Sequence, residues 1–105
     1  MEMKLALKVN DKDNVATIFA NGITDGTEVE IRDKAGHGEK VHVKGDIPFG
    51  HKIATQPIHK GDLIIKYGQE IGIATAEIIK GEYVHIHNLD SMRGRGDWKK
   101  EGGVK

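Results

Sequence analysis

Ile53-Ala54-Thr55-Gln56-Pro57-Ile58-His59-Lys60-Gly61-Asp62-Leu63-Ile64 returns further along the chain as Ile73-Ala74-Thr75-Ala76-Glu77-Ile78-Ile79-Lys80-Gly81-Glu82-Tyr83-Val84. The shared core is Ile-Ala-Thr-x-x-Ile-x-Lys-Gly-(Asp/Glu)-x-(Ile/Val). A fainter copy, Ile23-Thr24-Asp25-Gly26-Thr27-Glu28-Val29, keeps Ile-x-x-Gly-x-x-Val. Each unit reads as a plug and a turn. The Ile anchors a loop to the core, the Gly three residues later reverses the chain, and a strand begins. Three such units predict a pseudo-symmetric small barrel or clip. The period is too short for a solenoid.

Outside the repeat the pattern is also strand-like. Leu5, Leu7 and Val9 alternate with Lys4, Ala6 and Lys8, which predicts that the three larger residues face the core. Val29 and Ile31 alternate with charged neighbours, Val41 and Val43 flank an outward His42, and Leu63 to Lys66 forms a short apolar run. Val84 and Ile86 are expected to point inward on the last strand. Asn21-Gly22, Asp25-Gly26, Gly45-Asp46, Gly61-Asp62 and Gly68-Gln69 punctuate these runs as turns. No segment holds an apolar period of 3.6 residues over three turns. The sequence leaves room for one helical turn around Thr75 to Ile79. The expected class is all-β, a compact single domain over residues 1–90 with a flexible polar tail over 91–105.

Composition narrows the function classes. The chain has 105 residues, enough for one modest core, with 16 basic and 16 acidic side chains and no cysteine. Zero net charge predicts no nucleic-acid and no membrane partner. Arg93-Gly94-Arg95 lacks interleaved aromatics and carries little nucleic-acid signal. Disulfides, thiolate catalysis and Cys-ligated zinc are excluded. The absence of a signal peptide or a membrane-length apolar run predicts a soluble, cytoplasmic protein.

Two segments could carry chemistry. In His85-Ile86-His87-Asn88, strand alternation places both imidazoles on the face of Tyr83, with Cα atoms roughly 6–7 Å apart. Such a pair can converge on a metal, bind a carboxylate or shuttle protons. It can equally be two solvent-facing residues on an outer strand. In Ile47-Pro48-Phe49-Gly50-His51-Lys52, Pro48 fixes one φ, Gly50 admits a ligand close to the backbone, and His51 with Lys52 offers a base beside a cation. The alternative is an ordinary loop with charged tips. His37, His42 and His59 lie in less suggestive contexts.

Taken together, Ile47-Pro48-Phe49-Gly50-His51-Lys52-Ile53-Ala54, Ile58-x-x-Gly61, Ile64-Ile65-Lys66-Tyr67-Gly68, Ile71-Gly72-x-Ala74 and Gly81-Glu82-Tyr83-Val84-His85-Ile86-His87-Asn88 resemble the N-terminal domain of altronate and galactarate dehydratases. The resemblance runs from about Leu7 to Asp97. It implies the SAF fold, a β-clip usually fused to a much larger dehydratase region and sometimes encoded separately as a small subunit. The sulfolactate sulfo-lyase small subunit has similar motifs, so altronate, galactarate and sulfolactate stay open. So does a non-catalytic module that binds a carbohydrate or partner. The implied reaction is a lyase step on a sugar acid, with a divalent metal, iron(II) or manganese, shared with a large subunit. By the same resemblance His51, Lys52, His85 and His87 are catalytic, His85 and His87 are metal ligands, and Gly50 and Asn88 are substrate-binding. Many members carry His at the position of Tyr83, so no catalytic role is carried over to it.

Overall fold

The computed structural model describes residues 4–91. The expected polar tail lies almost wholly outside them. Nine strands follow in chain order: β1 (Leu5–Lys8), β2 (Val15–Ile18), β3 (Glu28–Asp33), β4 (Gly38–His42), β5 (Lys52–Ala54), β6 (Leu63–Lys66), β7 (Gln69–Ala74), β8 (Tyr83–Val84) and β9 (Leu89–Ser91). The described residues contain no helix, so none that is long and apolar enough to cross a membrane. The expected all-β clip is thus what forms. One sheet runs β4-β3-β1-β2-β5-β8 and the other β6-β7-β9. All pairings are antiparallel except β1 with β3.

The repeat reports on the fold more fully than its three copies suggested. There are four plug-and-turn units, because Ile47-Pro48-Phe49-Gly50-His51 is another. Ile23, Ile47, Ile58 and Ile78 are all buried, each contributing roughly 2–3 kcal/mol of apolar burial. The glycines three residues on, Gly26, Gly50, Gly61 and Gly81, have φ of 90°, 84°, 93° and 91°. In every unit the residue after the glycine donates its N–H to the carbonyl three residues back, closing a turn of type II form. In every unit the glycine N–H donates at 2.8 Å to a neighbouring strand or its flank: Gly26 to Val43, Gly50 to Ile18, Gly61 to Ala74 and Gly81 to Ala54. The units associate in pairs, Ile23 bridging Ile47 and Ile58 bridging Ile78.

Each pair plugs its own core. Ala6, Ile18, Ile23, Val29, Ile31, Val41, Val43, Ile47 and Ile53 pack in one, and Val15, Ala54, Ile58, Ile64, Ala74, Ile78, Val84 and Leu89 in the other. β2 and β5 form the wall between them. Adjacent residues on a strand point to opposite faces, so Val15 and Ala54 serve one core while Ala16 and Ile53 serve the other. Asp13 and Asn14, whose roles were not visible in the sequence, tie in the β6–β7 hairpin. The Asn14 side chain accepts from Ile65 N–H at 2.8 Å and donates to Leu63 carbonyl at 2.9 Å, as a strand neighbour would. Asp13 accepts from Gly68 N–H at 2.7 Å.

Three local expectations are corrected. On β1 the inward residue is Ala6, and Leu7 is exposed. Ala6 stands between Ile18 and Ile31 on the flanking strands, where a small side chain fits between two branched ones. Thr75 to Ile79 makes no helical turn, because Ile78 is pinned to Ile58 by two backbone hydrogen bonds of 2.8 and 2.9 Å. Ile86 does not enter the core. β8 ends at Val84, and Ile86 stands 80% exposed at the tip of a turn.

Candidate functional site

The register of β5 and β8 builds the site. Lys52 pairs with Val84 and Ile53 with Tyr83. Continued by one residue, that antiparallel register sets His51 opposite His85, and the two rings lie 4.7 Å apart. The strand then gives way to a turn over residues 85–88, in which Asn88 N–H donates to His85 carbonyl at 3.0 Å. The Asn88 side chain holds that turn. It accepts from His85 N–H at 2.9 Å and donates to Tyr83 carbonyl at 2.9 Å. Asn88 is buried, so it shapes the site from beneath.

Strand register sets His85 beside Tyr83, and the turn, not further alternation, brings His87 back onto the same phenol. The Tyr83 ring stacks on His85 with centroids 5.6 Å apart and 8° between planes, and meets His87 at 5.2 Å. Its hydroxyl lies 2.7 Å from His51 Nδ1. Tyr83 is therefore the hub of three imidazoles, a role the family resemblance did not carry over. Its position two residues before His85 was the signal that could have indicated it.

His51 owes its freedom to its turn. In the three sister units the residue after the glycine caps the turn with its side chain. Thr27 accepts from Thr24 N–H at 3.1 Å, Asp62 from His59 N–H at 3.0 Å, and Glu82 from Ile79 N–H at 2.9 Å. The matching donor in the fourth unit would be residue 48, which is Pro and has no N–H. No cap is needed there, and the capping position is occupied by His51, whose ring turns to Tyr83 instead. Gly50 beside it leaves open space where a Cβ would stand.

The electrostatics are those of a cationic patch. Burial pushes the His85 pKa down, assisted by the nearby charges of His51, Lys52 and His87, so the neutral imidazole is favoured. Lys52 is half-buried, and burial, followed by repulsion from Lys66, lowers its pKa too. Burial raises the Tyr83 pKa, keeping the phenol protonated. Among the described residues, none of the ion pairs involves Lys52, Lys66 or these three histidines. The patch can therefore receive an anion, and Lys66 stands near enough to Lys52 to repel its charge, a neighbour the sequence had not indicated.

The other histidines stand apart. His59 pairs with Glu77 at 2.8 Å, His37 with Asp33 at 3.0 Å, and His42 is exposed on β4. A cavity of about 270 Å³ opens elsewhere, lined in part by Asp33, His37, Glu39 and Thr55, and shares no residue with the cluster. No set of three His, Cys, Asp or Glu side chains able to hold a metal occurs among the described residues. His85 and His87 offer two ring donors, while His51 Nδ1 is engaged by Tyr83. This chain does not complete a metal site from its own described side chains.

Residues 4–92 match the altronate/galactarate dehydratase SAF domain family. The chain is 40% identical over 86 residues to altronate dehydratase of Bacillus subtilis, an alignment covering 82% of this chain and 16% of that enzyme. Against altronate dehydratase of Escherichia coli it is 40% identical over 82 residues, covering 78% and 15%. Against (2R)-sulfolactate sulfo-lyase subunit alpha of Chromohalobacter salexigens it is 31% identical over 94 residues, covering 87% of this chain and 99% of that subunit. The alignment thus spans about a sixth of each altronate dehydratase but nearly all of a separate lyase subunit. A family match over residues 4–92, nearly the whole described fold, makes this chain a member of the altronate/galactarate dehydratase SAF domain family.

Proposed function

We propose that the chain is the small subunit of a sugar-acid hydro-lyase of the altronate or galactarate type, inactive alone, and completes a dehydration site on a large dehydratase chain. One observation carries this reading: the imidazole cluster is an open half-site. Among the described residues it has cations and a neutral base, but no ion-paired carboxylate and no set of three side chains able to hold a metal. Large apolar side chains border it on the exposed surface. Ile86 lies between His85 and His87, and Phe49, two residues from His51, packs edge-on against Phe19 at 6.0 Å. A second chain covering such a rim would exclude water and strengthen every charge interaction inside.

In this mechanism Lys52 binds the substrate carboxylate. Gly50 lets the sugar acid approach the backbone, and Asn88 holds the turn that aims His85 and His87. Neutral His85 takes the proton α to the carboxylate, leaving the carbanion electrons delocalised as an enediolate. The imidazolium so formed returns that proton to the departing β-hydroxyl. Water leaves, His85 is neutral again, and the enol product tautomerises to a 2-keto-3-deoxy acid. A divalent metal, iron(II) or manganese, would stabilise the enediolate charge. Most of its ligands would belong to the large chain, with His87 as this chain's contribution, since the His85 ring nitrogen that takes the proton cannot also hold a metal.

The near-complete coverage of a separate sulfo-lyase subunit favours a second reading, in which sulfolactate is the substrate and the sulfonate group is the one that leaves. The test of both is purification with the co-purifying large chain, then assay on altronate, galactarate and sulfolactate with iron(II) or manganese. Turnover of one substrate by the complex and by neither chain alone is expected. His85→Ala with His87→Ala should abolish turnover and leave this chain folded. Normal turnover by that double variant would remove these residues from the mechanism.

A further inference from the structure

We propose that Tyr83 is a positioning residue that fixes the tautomer of His51, making its Nε2 a hydrogen-bond donor and leaving the acceptor role in the cluster to His85. The proposal rests on the 2.7 Å contact between the Tyr83 hydroxyl and His51 Nδ1. Two directions of that bond are conceivable, and elementary acidity chooses between them. A phenol is a better donor than a neutral imidazole N–H, and a pyridine-type imidazole nitrogen is a better acceptor than a phenol oxygen. His51 Nδ1 is also the Tyr83 hydroxyl's hydrogen-bond partner among the described residues. A hydroxyl in this half-buried setting that accepted instead would leave its own hydrogen without a protein acceptor. Tyr83 therefore donates, Nδ1 accepts, and the ring proton of neutral His51 resides on Nε2.

The neighbouring ring makes the assignment useful. His85 lies 4.7 Å from His51 and stacks on the same phenol, yet its ring nitrogens have no hydrogen-bond partner among the described residues. Two adjacent imidazoles locked as donors would compete for the same role. One locked by Tyr83 and one free to accept are complementary. On the reading above, which this step needs only for its catalytic consequence, His51 would stabilise the growing enediolate charge by a neutral hydrogen bond while His85 takes the proton.

The test begins with the full chain alone, uniformly labelled with 15N. Long-range 1H–15N correlations are recorded at a pH where the imidazoles are neutral. The expected His51 signature is a pyridine-type Nδ1 and a pyrrole-type Nε2, with Tyr83→Phe shifting it toward a mixture of tautomers while the His59 signature stays put. A proton found on Nδ1 in the parent, or a His51 signature unchanged by Tyr83→Phe, would overturn the proposal whatever the chain's activity. Phe keeps the ring that His85 and His87 pack against, and an unchanged thermal midpoint verifies this. In the complex with the large chain, Tyr83→Phe should lower kcat about 10–100-fold with KM little changed, as loss of an orienting partner does. His51→Gln, which keeps a fixed N–H donor, should retain more activity than His51→Ala and be indifferent to Tyr83→Phe. Sensitivity of His51→Gln to Tyr83→Phe would show that the tyrosine acts on something other than the His51 tautomer.

Discussion

The two pairs of plug-and-turn units start from one plan and diverge most at one turn, where Pro48 and His51 replace the capped residue and its cap. Around Ile58 and Ile78, the residues after the glycines, Asp62 and Glu82, turn their carboxylates inward to cap the turns. Around Ile23 and Ile47, Thr27 does the same but His51 does not. Even the clasp between partners repeats. Asp46, just before Ile47, accepts from Asp25 N–H at 3.0 Å, and Glu77, just before Ile78, accepts from Lys60 N–H at 3.0 Å. Where so much is shared, the odd member is informative. Pro48 removes the donor that a cap would serve, and the side chain released from capping is the one that meets Tyr83. A scaffold position thereby becomes a site position without any change in backbone.

The glycines give the sharpest contrast between a turn that bears load from its neighbours and one that opens to solvent. Gly81 and Gly50 have nearly the same φ. A Cβ on Gly81 would stand 2.5 Å from His42 carbonyl oxygen and 2.9 Å from a Val41 methyl, whereas one on Gly50 would meet nothing within 4 Å. Gly81→Val should therefore combine left-handed strain with overpacking, roughly 3–5 kcal/mol together, a large share of a small domain's stability. Gly50→Ala should cost only the backbone term, about 1–2 kcal/mol. Urea denaturation midpoints for the two variants decide it. Equal losses would mean that the turns are not distinguished by their surroundings.

A smaller effect tests the divergence itself. His51→Asp restores the sister residue but finds no N–H to accept from, so alone it should add no stability. Pro48→Ala supplies the N–H, at the loss of the ring's rigidity. Together they should rebuild the cap of the Ile58 unit, giving a favourable coupling of about 1 kcal/mol in a double-mutant cycle. Strict additivity would refute the view that Pro48 is what frees His51. The double variant should also lose the activity of the complex while gaining stability relative to the sum of its parts.

Much of this was legible in the residues, and what was not has physical reasons. The repeat exposed three turns because Ile, Gly and the following acid or Thr recur together. The fourth was hidden because Pro48 and His51 replace the very residues that make the others alike. Alternation located Val29, Ile31, Val41 and Val43 in the core but failed on β1, where fit between Ile18 and Ile31 selects Ala6 over the larger neighbours. The pattern also ran one strand too far. It placed His85 and His87 side by side by continuing β8, whereas Asn88 bends the chain after Val84 and brings His87 back onto Tyr83. Lys66 comes near Lys52 only through the tertiary approach of β6 to β2, which no local period encodes.

The least effect, and the most selective, concerns the one clasp that carries a titratable partner. Glu77 accepts from His59 Nδ1 at 2.8 Å as well as from Lys60 N–H, whereas Asp46 in the other pair serves backbone alone among its recorded bonds. The hydrogen bond from His59 and the Lys60 N–H lower the Glu77 pKa, and Glu77 raises that of His59. The signs follow from linkage. The His59 contribution is complete below its ordinary value of 6.5 and is lost as pH rises through its higher folded value. The Glu77 contribution is present above its ordinary 4.5 and is lost as pH falls through its lower folded value. The clasp is therefore fully made between about pH 4.5 and 6.5. Both side chains are exposed and screened by solvent, so the stability change should be slight. The ring proton shifts of His59 read it directly. Glu77→Gln should bring the His59 midpoint back toward 6.5. A His59 midpoint indifferent to Glu77→Gln would show that His59 takes no part in the clasp, leaving Glu77 to serve a backbone N–H alone, as Asp46 does.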